Sequence, residues 1–201
     1  MGTANMERFN ILFENLMCRF KKELPEYLTY HNASHTRYVL DKAVLISQEE
    51  KIDADQLDLV KVAALYHDSG FLKGLVEHEH ASCEIVKAEL PAYDFSSIQT
   101  DQICQMIIAT KIPQKPQDLL GKIVADADLE YLGTDLFDIG SQRLFDELRH
   151  FNSGLTRTEW LKIQIRFLES HQYHTVYCQN FRQPKKLEHL AKLKDELLEN
   201  R

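Results

Sequence analysis

Histidine and aspartate recur at three places where a folded chain could gather them around a cation. The first is Tyr30-His31-Asn32-Ala33-Ser34-His35, whose two histidines are four residues apart and would share a face if the stretch is helical. The second is Leu65-Tyr66-His67-Asp68-Ser69-Gly70, at the end of an apolar run. An ionised aspartate directly after such a run is costly to bury without a partner, and a divalent cation is one. On this dipeptide alone, a helix end turned outward accounts for it equally well, with Asp68 solvated and His67 favoured by the helix dipole. The third is Val124-Ala125-Asp126-Ala127-Asp128-Leu129-Glu130, where carboxylates interrupt an otherwise apolar helix. Asp126 and Asp128 would point about 200° apart on that helix, so one faces a shared site and the other caps, pairs or meets solvent. Two imidazoles and two carboxylates leave room for water or substrate oxygens on a six-coordinate ion. Mixed nitrogen and oxygen ligands favour Mn, Fe, Ni, Co or Zn over Ca, and Mg is less expected beside two imidazoles.

Helical periodicity runs through nearly every segment, and two-residue alternation is nowhere sustained. Phe9, Leu12, Phe13, Leu16, Met17 and Phe20 make a stripe at three- and four-residue spacing. A second helix is expected from Ser34 to about Glu50, and a third capped by Asp53 and stopped by Gly70. Further helices are expected near 80–90, 97–110, 117–132 and 138–151. The capping box Thr156/Glu159 opens another, and Pro184 sits in the first turn of a last helix carrying Leu187, Leu190, Leu193 and Leu197. The expectation is an all-α bundle of about nine helices forming one domain, 1–201, with a core of about 28–180. The final helix, 184–200, either packs back on it or forms a homodimer seam.

With 44% hydrophobic and 27% charged residues, the chain can bury a core. A net charge of −7 disfavours nucleic-acid polymers and membrane surfaces as partners. The four cysteines lie far apart without a C-x-x-C pair and read as reduced, mostly buried thiols. The N-terminal stretch lacks a basic-then-apolar leader pattern, and Gly2 is followed by Met rather than Ser or Thr at position 6, which disfavours myristoylation. A cytoplasmic protein is expected.

The order H…HD…D, read as His35, His67-Asp68 and a later aspartate, resembles the HD superfamily of metal-dependent phosphohydrolases. The Tyr30-His31-Asn32-x-x-His35 stretch resembles the opening motif of cyclic-nucleotide phosphodiesterases within that superfamily, and Asp126-Ala127-Asp128-Leu129-Glu130-Tyr131-Leu132-Gly133 resembles the later motif of small bacterial HD proteins. The resemblance spans roughly residues 28–180. It implies an HD-type helical fold and a first metal held by His35, His67, Asp68 and Asp128, with Asp126 the alternative to Asp128. It implies that His31 protonates a leaving oxygen while Asp68 serves both metal and catalysis, and it places His78-Glu79 near a second metal or the substrate phosphate. The substrate class implied is a small phosphate ester, a phosphomonoester or phosphodiester of nucleotide type; a non-catalytic sensing or scaffold domain that binds metal or nucleotide is the other reading. Lys73 and Lys111 are candidates to neutralise phosphate, although each reads as readily as a solvated surface residue.

Two departures stand out. The common Asp-Ile-Gly-Lys is here Asp68-Ser69-Gly70-Phe71, and Thr110-Lys111 stands where the cyclic-di-GMP-cleaving branch has a histidine pair. Selectivity is expected from the loops near 71–77 and 111–118.

Overall fold

The computed structural model describes residues 3–199; Gly2 lies outside them. Helix α1 spans Thr3–Glu23, α2 Ala33–Glu49, α3 Ala54–Tyr66, α4 His78–Glu89, α5 Ser97–Ile108 and α6 Leu119–Asp128. Then follow α7 Phe137–Phe151, α8 Arg157–Ser170, α9 Val176–Phe181 and α10 Gln183–Glu199. Short 3-10 turns occupy Ser69–Leu72, Leu90–Tyr93 and Glu130–Gly133. The fold is all-α, with ten helices among the described residues.

Helix α3 is the axis of the first layer. From Leu59 onward almost every side chain is buried, so the helix carries whatever follows it into the interior. Helices α2, α5 and α6 surround it, meeting through Val39, Ala43 and Ile46, through Ile103 and Ile107, and through Ile123, Val124 and Ala127. The alanines Ala43, Ala63, Ala64 and Ala127 allow close approach of the backbones, and each buried Ile or Leu adds about 1.5–3 kcal/mol. Three helices open on a capping box, in which side-chain oxygens take orphan N–H groups: Asp53 with Gln56 on α3, Ser96 with Gln99 on α5, and Thr156 with Glu159 on α8.

A second layer joins α7, α8 and α10 through Leu132, Phe137, Leu161, Ile165, Leu168 and Leu193. Helix α10 lies on α8 and on the turn Glu130–Gly133, burying Leu193 and leaving Leu187 and Leu198 exposed. The cysteines are free thiols. No helix among the described residues is long and apolar enough to cross a membrane.

The structure differs from expectation in places that have local causes. Asn32 caps α2 by accepting the N–H groups of Ser34 and His35, so His31 stands before the helix rather than on its face. The sixth helix stops at Asp128 instead of running to Leu132, and the Glu130–Gly133 turn follows it. Short α9 has no strong apolar period to announce it. His189, two residues after the exposed Leu187, is buried against Phe137 with Nε2 2.9 Å from the Thr134 carbonyl.

Candidate metal centre

Three chain segments end at one point. His35 stands in the first turn of α2, His67 and Asp68 follow the last turn of buried α3, and Asp128 closes α6. The His35 Nε2 lies 3.4 Å from the His67 Nε2 and 3.1 Å from the Asp128 Oδ1. The Asp68 Oδ2 is 3.4 Å from His35 Nε2 and 3.1 Å from His67 Nε2, while Asp128 Oδ1 is 3.6 Å from His67 Nε2. Adjacent ligands on a six-coordinate ion with bonds of about 2.1 Å are about 3 Å apart, so these spacings suit one ion with slight expansion. The His67 Nδ1 faces the Ala64 carbonyl at 2.8 Å, which fixes the proton there and leaves the Nε2 lone pair toward the cluster. Asp68 Oδ2 is buried with no hydrogen-bond donor of its own. The donor set therefore fits a divalent ion, and His35, His67 and Asp128 with Asp68 could hold it.

Electrostatics point the same way. Burial opposes charging His67, yet the carboxylates of Asp68 and Asp128 hold its pKa well above the ordinary imidazole value. Burial likewise opposes ionising Asp68 and Asp128, yet the imidazoles beside them hold both carboxyls well below the ordinary range. Two imidazole nitrogens this close cannot both carry protons without repulsion. The cluster demands positive charge, and an ion supplies it better than protons do.

Asp126 points elsewhere. Its carboxylate accepts from the His174 and Thr175 backbone N–H groups at 2.9 and 2.8 Å and from the Thr175 hydroxyl at 2.6 Å. It ties α6 to the segment before α9. Two residues on, Asp128 faces the cluster, as the helical geometry of an i, i+2 pair requires.

His31 reaches the same cavity from outside α2. Its ring is 5.9 Å from that of His35 between centroids, and its Nδ1 lies 2.5 Å from the Glu147 Oε1. Burial would lower the His31 pKa, but the Glu147 carboxylate and then the charge of Asp68 raise it above the ordinary value. Glu147 was not anticipated from sequence. Its signal is a carboxylate three residues after Leu144 on the apolar side of α7, where a solvated residue has no place.

His78 begins α4, with Nε2 3.5 Å from the Asp68 Oδ1 and 3.6 Å from the Glu79 Oε1. Phe71 packs against the rings of both His31 and His78 at centroid distances of 4.5 and 4.3 Å, and those two rings are themselves 6.1 Å apart. The lysines are not brought in. Lys73 pairs with Glu84 at 3.0 Å and Lys111 with Glu77 at 2.6 Å, both on exposed surface because each has a nearby carboxylate partner there. Arg182 is held by the buried Glu130 and stacks over Tyr177.

The cavity beside the cluster is lined chiefly by α7, α8 and the Glu130–Gly133 turn, with Ile112 the contribution of the second expected loop. The loops 71–77 and 111–118 therefore do not form most of its wall, since α7 and α8 lie directly over the cluster's open side.

Residues 32–130 match the HD domain family model, and the chain is an HD-domain protein. Two solved structures share its fold. One is a predicted HD superfamily hydrolase from an uncultured Thermotogales bacterium, 20% identical, with a TM-score of 0.62 over 92% of this chain and 91% of that one. The other is Bacillus subtilis YpgQ in complex with ADP, also 20% identical, with a TM-score of 0.66 over 96% of this chain and 97% of that one. No curated protein matches the chain.

Proposed function

We propose that the protein is a metal-dependent phosphohydrolase acting on a phosphomonoester or phosphodiester, with a nucleotide as the favoured kind of substrate. The observation that supports it most is the convergence of His35, His67, Asp68 and Asp128 on one point, with His31 lining the same cavity. When bound there, a divalent ion of the Mn, Fe, Ni, Co or Zn kind supplies a lowered water pKa and charge neutralisation at phosphoryl oxygens. The neighbour that holds ADP is consistent with a nucleotide ligand.

His31 keeps one proton on Nδ1, directed at Glu147. Its imidazolium form then carries a second proton at Nε2, available to a departing oxygen. Asp68 presents Oδ2 to the two imidazoles of the cluster and Oδ1 toward His78. His78 and Glu79 can accordingly hold a second cation or orient a phosphate. Phe71 packs against both of the rings, His31 and His78.

The test is metal analysis of the purified protein, followed by assays on a panel of phosphomonoesters and phosphodiesters with added Mn. About one ion per chain and turnover that His31→Ala reduces without loss of metal are expected. Bound metal without cleavage of any ester would instead mark a sensing or scaffold domain.

A further inference from the structure

The cluster opens into a cavity of about 240 Å³. One side of it is polar, made by His31, Asp68, His78, Glu79 and Asp128. The remainder is apolar, with Leu132, Phe137, Leu144, Ile163, Phe167 and Leu168 facing inward. Among the described residues that line it there is no lysine and no arginine. Within the wall made by α7 and α8, one polar group interrupts the apolar surface. The Ser141 Oγ accepts from the Gln164 Nε2 at 2.5 Å and from the Trp160 Nε1 at 3.3 Å. Its own hydroxyl proton meets no acceptor, and the Gln164 Oε1 meets no donor, among the described residues.

We infer that this cleft receives the end of the ester's organic group remote from phosphorus, and that this end is uncharged, largely apolar and about one ring in size. The inference rests on the proposed function, because the cluster is taken to hold the phosphoryl end. A charged group on the α7–α8 wall would lose its hydration with no counter-charge in reach, whereas an apolar group gains by leaving water. The volume lies below the roughly 300–1,000 Å³ of cavities that take drug-sized ligands, which limits the occupant to a single ring or a short branched chain. The Ser141 hydroxyl and the Gln164 carbonyl can meet one acceptor and one donor on it. A pyrimidine base and a simple aryl group share this chemistry, and the former alone uses both polar contacts.

Phosphonates that resist hydrolysis test the inference by binding alone. Methylphosphonate, phenylphosphonate and the 5′-phosphonate of uridine are titrated calorimetrically into the Mn-loaded protein. Phenylphosphonate is expected to bind at least tenfold tighter than methylphosphonate. Ile163→Glu, checked for unchanged metal content and circular dichroism, is expected to erase that difference while leaving methylphosphonate within twofold. A uridine compound tighter than the phenyl one, with the excess lost in Gln164→Leu, identifies the base as the occupant; the reverse order identifies a simple aryl or alkyl group. Equal affinities for methyl- and phenylphosphonate in the wild-type protein would overturn the inference and leave the phosphohydrolase reading intact. Failure of all three to bind the Mn-loaded protein would overturn both.

Discussion

Glu147, 116 positions after His31 in the chain, takes hold of that histidine twice: its Oε2 accepts the His31 backbone N–H at 3.0 Å, and its Oε1 lies 2.5 Å from the His31 Nδ1. It also accepts the Tyr30 N–H at 2.9 Å. One carboxylate thus fixes the position, the orientation and the protonation preference of the proposed proton donor, and it does so from the second layer of the fold.

The first prediction concerns this pair. The His31 pKa is raised in the folded protein, so the imidazolium persists above its ordinary range and is lost as pH rises through the folded value. Glu147→Gln removes the counter-charge. The alkaline limb of the kcat profile should move to lower pH, with turnover at pH 8 falling by about tenfold, within the range general acids contribute. Metal content should not change, and a profile that stays in place would show that Glu147 does not tune the donor.

Asp126 and Asp128 should separate cleanly. Asp128→Ala is expected to lower bound metal below a tenth of the wild-type stoichiometry. Asp126→Ala is expected to retain metal but cost about 2–4 kcal/mol, since it strands the N–H groups of His174 and Thr175 and the Thr175 hydroxyl. Metal analysis and urea unfolding read the two effects independently. Metal loss in Asp126→Ala at native stability would reverse the assignment.

Phe71 is predicted to act through the two histidine rings that it packs against, His31 and His78. Phe71→Ala should keep the metal, because none of the four converging side chains depends on it for a hydrogen bond. It should lower kcat by about tenfold, as misplacement of a catalytic ring costs rate steeply, with KM little changed. Comparable kcat in the variant would reduce Phe71 to filler.

Lys186 offers a stability test far from the cluster. It is buried, with Nζ 2.5 Å from the His171 carbonyl and 3.2 Å from the His171 Nδ1. Burial pushes its pKa from 10.5 down to about 8. Between those values the unfolded chain binds more protons than the folded one, so stability rises with pH across that window, and below about 8 the cost is fully present. Wild type should gain about 2 kcal/mol from pH 7 to pH 10 relative to Lys186→Met, measured by chemical denaturation at each pH. Parallel curves for the two proteins would contradict this.

Much of the fold could be read from the chain because helical periods and capping residues are local. Asp53, Ser96 and Thr156 each announce a helix start within four residues. The convergence of His35, His67-Asp68 and Asp128 was legible for a different reason: each segment alone is ambiguous, and only the ordered set of three resembles a family pattern. Glu147 and Phe71 were not legible in these roles, since each acquires its meaning only from a residue dozens of positions away. Lys73 and Lys111 show the converse, because a surface carboxylate on α4 or just before it captures each of them. The basic segment Arg182–Lys186 supplies partners for the buried Glu130 and the end of α8, which its composition alone does not show.

Gly70 has no side chain because the His78 backbone occupies the space: a Cβ there would come within 1.9 Å of the His78 carbonyl oxygen. The Ser82 hydroxyl completes the joint, accepting the Gly70 N–H at 2.7 Å and donating to the His67 carbonyl at 2.8 Å. Both ends of the segment between Gly70 and His78 are thereby pinned to each other, whatever its middle does. The exposed stretch around Leu75 and Val76 is consequently free to vary in length and composition without disturbing the distance from His78 to Asp68.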